Sequence, residues 1–264
     1  MLHNDAMTLK GKISIVTGAS RGIGRAIALR LAAAGSNVVL TARDQTLLDA
    51  AAAEARASGA AAESIALDLR EPGSGKRVAE FAVSRFGRID IVVNNAGATK
   101  RGDFLELTDD DFADGFALKY FGALRLTRAA WPHLKSAGGS VVFISGAGGR
   151  TPGAHFAIGG SVNAALLSLT KALADLGVRD GVQVNAINPG TIRTARYTAR
   201  RNAMATERGL DPEAAEREFI KSSAITRIGE PEEIAAMVEL IVGPEGRMFQ
   251  GSLIDMDAGS TKTI

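Results

Sequence analysis

The sequence has no cysteine among its 264 residues and few aromatic side chains. Without cysteine there can be no disulfide, no thiolate nucleophile and no thiolate metal ligand, and we predict no metal site. Aromatic residues make up 5% of the chain and include only two tyrosines, Tyr120 and Tyr197. A reaction that needs a tyrosine would therefore have to use one of these two.

Long blocks of one charge are also missing. The net charge is only +2, and the lysines and arginines form no continuous run. The composition therefore predicts neither a nucleic acid nor a membrane as partner. Residues 1–8 are polar and show no signal peptide, and no apolar stretch reaches the length of a membrane span. We expect a cytoplasmic protein.

Short apolar segments alternate with segments of helical periodicity along most of the chain. This pattern predicts a parallel sheet with helices on both faces. With 46% hydrophobic residues and no linker or repeat, residues 1–264 are expected to form a single domain. The predicted strands are residues 12–16, 38–41, 64–67, 89–93, 141–144, 182–187 and 252–256. The predicted helices are residues 25–32, 45–58, 72–86, 109–133, 159–176 and a last one that begins at residue 231.

A glycine-rich stretch, TGASRGIG at residues 17–24, lies between the first strand and the first helix. Glycines allow a pyrophosphate to approach the backbone closely, and a helix N-terminus offers free N–H groups and a positive dipole end. The spacing fits the general pattern for dinucleotide binding only loosely. A tight structural turn is the alternative, but the flanking strand and helix favour a dinucleotide site.

The spacing T-G-x-x-x-G-x-G resembles that of the short-chain dehydrogenase/reductase family. The segments NNAG (94–97), NPG (188–190) and DAG (257–259) follow in the family's order, so the resemblance covers nearly the whole chain. It implies a single Rossmann-type, doubly wound parallel sheet of about seven strands. It also implies a nicotinamide cofactor bound at the carboxyl ends of the strands.

The resemblance places the cofactor on residues after five of the strands. A carboxylate that would select NAD(H) is replaced by Ala42, followed by Arg43, and Arg21 precedes the second motif glycine. Two guanidiniums suit a 2′-phosphate, so we predict NADP(H), whereas either arginine alone would be read as a surface charge. Asp44 is expected to cap the next helix. The predicted cofactor-binding residues are Gly18, Ser20, Arg21, Gly22, Ile23, Gly24, Arg43, Asp68, Leu69, Asn95, Ala96, Gly97, Pro189, Gly190, Ile192 and Thr194.

Residues 191–228 interrupt the alternation and are predicted to form a small helical lid over the substrate. A proline follows Asp211, which is typical of a helix start. The lid is rich in arginine, and the expectation for such a cluster is exposure to solvent. The arginines concerned are Arg193, Arg196, Arg200 and Arg201.

The catalytic residues of the resembled family are absent. The family uses a tyrosine, with a lysine four residues later that lowers its pKa, together with a serine and an asparagine. These positions align with Gly159, Asn163, Gly146 and Lys119, respectively. Neither Tyr120 nor Tyr197 has a lysine four residues later, and Lys171 lies two turns too far along its helix. The two glycines are expected to widen the pocket.

Lysine and asparagine have nevertheless exchanged places, at Lys119 and Asn163. If the two side chains meet, the site keeps one amine and one amide. Lys119 would then bind the nicotinamide ribose or, where burial lowers its pKa, donate a proton. The alternative is that Lys119 extends along its helix into solvent. Ser145 and His155 are further predicted catalytic residues, and Thr151 and Tyr197 are weaker candidates for a donor.

The sequence is compatible with three functions. The first is an NADP(H)-dependent oxidoreductase of the short-chain type with a rearranged proton donor, acting on a small-molecule substrate that is a carbonyl or an alcohol. The second is a catalytically silent NADP(H)-binding sensor or partner subunit, and the third is an elimination or isomerisation with structural NADP(H). The resemblance also implies a homotetramer or homodimer, and small residues such as Gly160, Ala164 and Ala165 would allow helices to pair closely.

Overall fold

The computed structural model describes residues 9–262. Residues 1–8, for which we predict no signal peptide, lie outside this range, so that prediction is not tested by the structure. The described residues form a seven-stranded parallel sheet in the order β3-β2-β1-β4-β5-β6-β7. The strands are β1 (Ile13–Thr17), β2 (Asn37–Ala42), β3 (Ala62–Ala66), β4 (Ile91–Asn94), β5 (Ser140–Ile144), β6 (Gln183–Pro189) and β7 (Leu253–Met256).

Nine α-helices connect and cover these strands within the described range. They are α1 (Gly22–Ala33), α2 (Gln45–Ala57), α3 (Ser74–Phe86), α4 (Asp109–Phe116), α5 (Ala123–Ala137), α6 (Ala157–Asp180), α7 (Ala195–Arg208), α8 (Pro212–Ser222) and α9 (Pro231–Val242). The strand order reverses between β1 and β4, and ligands of such sheets bind beyond the strand ends at that point. The doubly wound Rossmann-type fold is confirmed.

Neighbouring residues within each strand face opposite layers of the core. Val16 packs in the layer that also contains residues of α1, α2 and α9, whereas Ile15 packs in the layer with α3, α5 and α6. Val93 and Val92 of β4 divide in the same way. Because both faces are covered, the strands are rich in apolar residues, which explains why their positions could be predicted from the sequence.

The segment predicted as one helix over residues 109–133 is three elements. It begins at the expected capping box, in which Thr108 and Asp111 bond to each other's backbone N–H. A π-helical turn, Ala117–Gly122, then separates α4 from α5. Pro132 lies inside α5, and the helix ends only at Gly138, whose left-handed backbone (φ +58°) suits glycine. The predicted end near residue 133 was therefore wrong.

The segment 191–228 contains the two helices α7 and α8, which pack against each other. Thr194 caps α7 and Asp211 caps α8, each accepting a hydrogen bond from a backbone N–H three residues later. This segment lies over the carboxyl ends of the strands, where its residues line the main cavity.

The helical stretch Ala154–Asp180 is long and apolar enough to cross a membrane, judged by length and composition. The expectation that no stretch reaches that length therefore does not hold. Leu166, Leu167 and Ala174 of this stretch are buried against the sheet. A core helix of a globular domain meets the same criterion, and this one forms part of the layer over β5 and β6.

Candidate active site

A cavity of about 1170 Å³ lies along the carboxyl ends of the strands. One end is lined by Arg43 and Asp44 after β2, and the other by residues of α7 and α8. The N-terminus of α1 and the backbone after β4, β5 and β6 form its length. This is the position in which an open α/β sheet binds its ligand.

The glycine-rich stretch forms a tight turn from β1 into α1. Gly18 and Gly22 have positive φ angles of 65° and 56°, which a side chain would strain. A Cβ at Gly18 would lie 2.9 Å from Asn95 Nδ2, and one at Gly24 would overlap the carbonyl oxygen of Gly18. Arg21 makes no side-chain cap to α1, so the first N–H groups of the helix remain available to an anion. The turn therefore fits a pyrophosphate.

Polar side chains fasten this turn to the end of β4. Thr17 Oγ1 accepts hydrogen bonds from the N–H groups of Asn95 and Ala96, both at 2.9 Å, and Asn95 Nδ2 donates to the Thr17 carbonyl at 2.9 Å. Asn94 Nδ2 donates to Thr127 Oγ1 at 2.9 Å and so joins β4 to α5. These contacts hold the floor of the cavity in place without using the backbone of Gly97.

Most of the predicted cofactor residues line this one cavity. Those in the lining are Gly18, Ser20, Arg21, Gly22, Ile23, Arg43, Leu69, Asn95, Ala96, Gly97, Pro189, Gly190 and Thr194. Gly24 is packed beneath the turn, and Ile192 is buried and forms a bridge with Gly229. Asp68 Oδ1 accepts from Arg70 N at 3.0 Å, so it closes its own loop and lies outside the lining.

The two arginines at the β2 end are open to the cavity. The Arg43 side chain is 67% exposed, and its Nη1 lies 3.9 Å from Asp68 Oδ2, so the ion pair between them is loose. Arg21 is exposed and also lines the cavity. Asp44 Oδ1 accepts from Leu47 N at 3.1 Å, as expected of a helix cap. The guanidiniums thus remain available, while the neighbouring carboxylate is held by α2.

Lys119 and Asn163 are in contact in the middle of the cavity. Lys119 Nζ donates to Asn163 Oδ1 and to the Ser145 carbonyl oxygen, each at 2.6 Å. An ammonium has three donors, so one is left to face the cavity. Burial, followed by the positive charge of Arg196, lowers the pKa of Lys119 to about 8. The amine is therefore bound within the site and does not extend into solvent.

The π-helical turn and Gly97 together make room for this lysine. Lys119 lies inside Ala117–Gly122, and such turns often occur at functional sites because they shift the direction of a side chain. A Cβ at Gly97 would lie 2.9 Å from Lys119 Cδ. The lysine stem thus lies along the backbone of the segment that follows β4.

The space that Gly159 leaves is filled by Phe156. A Cβ at Gly159 would overlap the Phe156 ring, and one at Gly148 would lie 2.8 Å from it. Gly146 has φ +151°, and its Cβ would lie 2.8 Å from Asn163 Nδ2. The expected widening of the pocket is therefore wrong at Gly159, because an aromatic ring one helical turn earlier occupies the space.

The other candidate proton donors lie at different places in the structure. Ser145 is buried in the lining, and its Oγ donates to the Asn163 carbonyl at 3.1 Å. His155 is exposed and lies outside the cavity lining. Tyr197 donates to Glu216 at 3.0 Å, and burial together with that carboxylate raises its pKa to about 12. Thr151 Oγ1 donates to the Ala147 carbonyl.

The lid arginines divide into two groups. Arg193 bonds Glu216 through two nitrogens at 2.8 Å and Glu230 at 2.9 Å, and Arg201 lies 3.7 Å from Glu216. Arg196 and Arg200 line the cavity instead. The expectation of exposure is confirmed for Arg196 and Arg200, which are exposed at the cavity. It is wrong for Arg193 and Arg201, which are half-buried because they pair with Glu216.

Sequence reasoning missed Phe156 and Arg101. Phe156 precedes Gly159 by three residues, and this helical spacing was a usable signal for an aromatic ring against a glycine. Arg101 follows β4 at the sheet edge where ligands bind, and its guanidinium carbon lies 3.9 Å from the centre of the Phe156 ring. Its role depends on that contact, which the linear sequence does not show.

Comparison with known proteins supports the same fold and family. The sequence model for short chain dehydrogenase matches residues 12–205. An uncharacterized oxidoreductase of Mycobacterium tuberculosis is 38% identical over 259 residues, which is 97% of this chain and 95% of that protein. A tropinone reductase homolog of Arabidopsis thaliana is 30% identical over 96% of this chain and 94% of its own length.

Solved structures agree in the same way. The L-sorbose reductase of Gluconobacter frateurii, complexed with NADPH and L-sorbose, has a TM-score of 0.93 at 30% identity, over 98% of this chain and all of that one. A short chain dehydrogenase of Burkholderia cenocepacia in complex with NADP has a TM-score of 0.82 at 32% identity, over 96% and 99%. Since the match covers the glycine-rich turn and nearly the whole sheet, this chain belongs to the short-chain dehydrogenase/reductase family of NAD(P)-binding oxidoreductases.

Proposed function

We propose that the protein is an NADP(H)-dependent oxidoreductase that acts on a carbonyl or alcohol and uses Lys119 in place of the family's tyrosine. The observation that carries the proposal is the buried amine of Lys119, 2.6 Å from both Asn163 Oδ1 and the Ser145 carbonyl oxygen. A pKa of about 8 lets this group give or take a proton near neutral pH.

The preference for NADP(H) rests on the β2 end of the cavity. Ala42 leaves no carboxylate at the end of that strand, and Asp44 is engaged by α2. Arg21 and Arg43 are free to bind a 2′-phosphate through charge-assisted hydrogen bonds. Two similar structures contain NADPH or NADP, which supports the same choice here.

Each residue of the proposed site has a separate task. NADP(H), when bound, supplies or accepts the hydride. Two protons of the Lys119 ammonium bond Ser145 and Asn163, and the third points to the substrate oxygen that gains charge. Ser145 Oγ, bonded to the Asn163 carbonyl, helps to hold α6 against β5, and the Phe156 ring fills the space beside Gly148 and Gly159.

The direct test is oxidation of NADPH with a panel of ketones and enones, and reduction of NADP⁺ with alcohols. Lys119→Met should lower turnover by at least about 100-fold, since general acid catalysis contributes on that order. Lys171→Met is the matched control, because Lys171 is exposed on α6. Tight NADPH binding without turnover on any substrate would favour the silent binder, and full activity of the Lys119→Met protein would exclude the lysine as donor.

We also propose that the chain assembles as a homotetramer or homodimer through α6. Gly160 is buried against Pro152 of its own chain and is not available for pairing. Ser161, Ala164 and Ser168 lie on the exposed side of the helix at helical spacing. Light scattering should give a dimer or tetramer for the wild type and a smaller mass for Ala164→Arg, and a monomeric wild type would overturn the proposal.

A further inference from the structure

We propose that the substrate carries an anionic group, a carboxylate or a phosphate, and that Arg101, Arg196 and Arg200 bind it at the lid end of the cavity. This inference deepens the proposed function by naming a substrate class. It rests on a group of cationic side chains that face the cavity and have no carboxylate partner among the described residues.

Arg101 is held by an aromatic ring and has no carboxylate partner in the part of the chain that the structure describes. Its guanidinium carbon lies 3.9 Å from the centre of the Phe156 ring. Partial burial, followed by the charges of Arg200 and Arg196, lowers its pKa. Stacking on a ring leaves the N–H groups at the guanidinium edge free to bind a ligand.

Arg200 is held in the same manner. Its guanidinium carbon lies 4.9 Å from the centre of the Phe219 ring, which also lines the cavity. Arg196 donates one hydrogen bond, at 3.2 Å, to the Gly97 carbonyl and otherwise faces the cavity. Arg196 also acts electrostatically on Lys119, so the arginines and the proposed proton donor share one electrostatic field.

Four other arginines of the lid region have carboxylate partners. Arg193 and Arg201 pair with Glu216, Arg208 with Glu218, and Arg227 with Glu233. The described residues that line the cavity include one carboxylate, that of Asp44, which lies at the opposite end. Four cationic side chains therefore line the middle and the lid end of the cavity without a carboxylate partner among the described residues. These are Arg101, Lys119, Arg196 and Arg200.

An anionic substrate group would supply the missing counter-charge. Guanidinium edges bind carboxylates and phosphates through paired, charge-assisted hydrogen bonds. Three of them around one opening also attract an anion from solution before it docks. The anionic group would lie under α7 and α8, and the substrate carbonyl would then reach the Lys119 amine.

The experiment measures binding without turnover. Calorimetry on protein saturated with NADP⁺ compares 4-oxopentanoate with 2-pentanone, and dihydroxyacetone phosphate with dihydroxyacetone. The ketone carbonyls cannot be oxidised by NADP⁺, and the absence of NADPH absorbance during the titration checks that the hydroxyl groups of the second pair do not react. The bound cofactor occupies its own phosphate sites. At least one anion should bind about tenfold more tightly than its neutral partner, or better, because a hydrogen bond to a charged group is worth that factor. The carboxylate and phosphate arms distinguish the two sources of charge.

Variants locate the effect. Arg101→Gln and Arg200→Gln should each reduce the preference for the anion to less than about threefold, and Arg208→Gln, on the same helix as Arg200 but paired outside the cavity, should leave it unchanged. Thermal unfolding checks that each variant is folded. Equal affinity for the anion and its neutral partner, no binding of either anion, or phosphate binding only without NADP⁺ would overturn the inference. NADPH oxidation is tested separately, so a silent protein that still prefers anions would refute only the proposed function.

Discussion

At the α1 end the cavity is lined by backbone groups, whereas at the α7 end it is lined by side chains. The turn at Gly18 and Gly22 uses positive φ angles and free N–H groups, and its residues fall in the spacing typical of the family. At the other end the four positions of the family's catalytic set hold Lys119, Gly146, Gly159 and Asn163. Under the proposed function, one chain keeps the cofactor half of a site and uses other side chains in the reacting half.

The difference follows from what each half requires. A backbone cradle tolerates almost no change, because a Cβ at Gly24 would overlap the Gly18 carbonyl. A side-chain site can be rearranged when a second residue compensates for the first. Phe156 fills the space at Gly159, and Lys119 reaches Asn163 from the opposite helix.

The largest effect is expected for Gly24→Ala. The added methyl group has no space between Gly18 and Asn95, so the turn must move. We expect NADPH affinity to fall by at least about 100-fold, which corresponds to about 2.7 kcal/mol. Calorimetry measures this, with Gly102→Ala as control because its Cβ would meet only Leu107 at ordinary contact distance. Unchanged affinity for Gly24→Ala would show that the cradle is not the cofactor site.

A pH series tests the burial of Lys119. Its pKa of about 8 in the folded protein lies below the usual 10.5, so the folded state loses its proton first as the pH rises. The unfolded state then binds more protons between pH 8 and 10.5, and stability must increase with pH in that window. Relative to Lys119→Met, wild type should gain on the order of 2 kcal/mol by denaturant unfolding. The stability difference between wild type and Lys171→Met should not change with pH. If the difference between wild type and Lys119→Met does not change either, the Lys119 amine is solvated.

The same pKa predicts the direction of the rate profile. If the Lys119 ammonium donates the proton, reduction of a ketone should slow as the pH rises through about 8. Oxidation of the alcohol, which needs the neutral amine, should speed up over the same interval. A reductive kcat/KM that does not change between pH 7 and 9 would contradict the assignment.

A double-mutant cycle tests whether Phe156 replaces the missing tyrosine sterically. Gly159→Ala should destabilise by about 1–3 kcal/mol, since its methyl group overlaps the ring. In the Phe156→Ala background the same change should cost little, giving a coupling of about 1 kcal/mol or more. Additive effects would show that the ring can move freely. Restoring the family's set with Gly146→Ser, Gly159→Tyr, Lys119→Asn and Asn163→Lys should therefore require Phe156→Gly as well.

The smallest effect is expected at the β2 end. Arg43 is 67% exposed, so its bond to a 2′-phosphate is partly screened. Arg43→Ala should weaken NADPH binding about tenfold and leave NADH unchanged. Arg77→Ala, an exposed arginine on α3, is the control. Equal affinity of wild type for NADPH and NADH would overturn the cofactor preference.

The sheet, its covering helices and the glycine-rich turn are predictable from the amino-acid sequence alone. Buried strands such as β1 are apolar on both faces, and Gly18 and Gly22 adopt backbone angles that other residues avoid, so both leave a local trace. The π-helical turn around Lys119 left none, since its residues look helical, and α5 passed Pro132 because Gly138 sets its end. Only the tertiary structure decided which arginines of the lid are neutralised and which face the cavity. That choice depends on where Glu216, Phe156 and Phe219 lie in space, and ion pairs and stacking between distant segments have no fixed spacing along the chain.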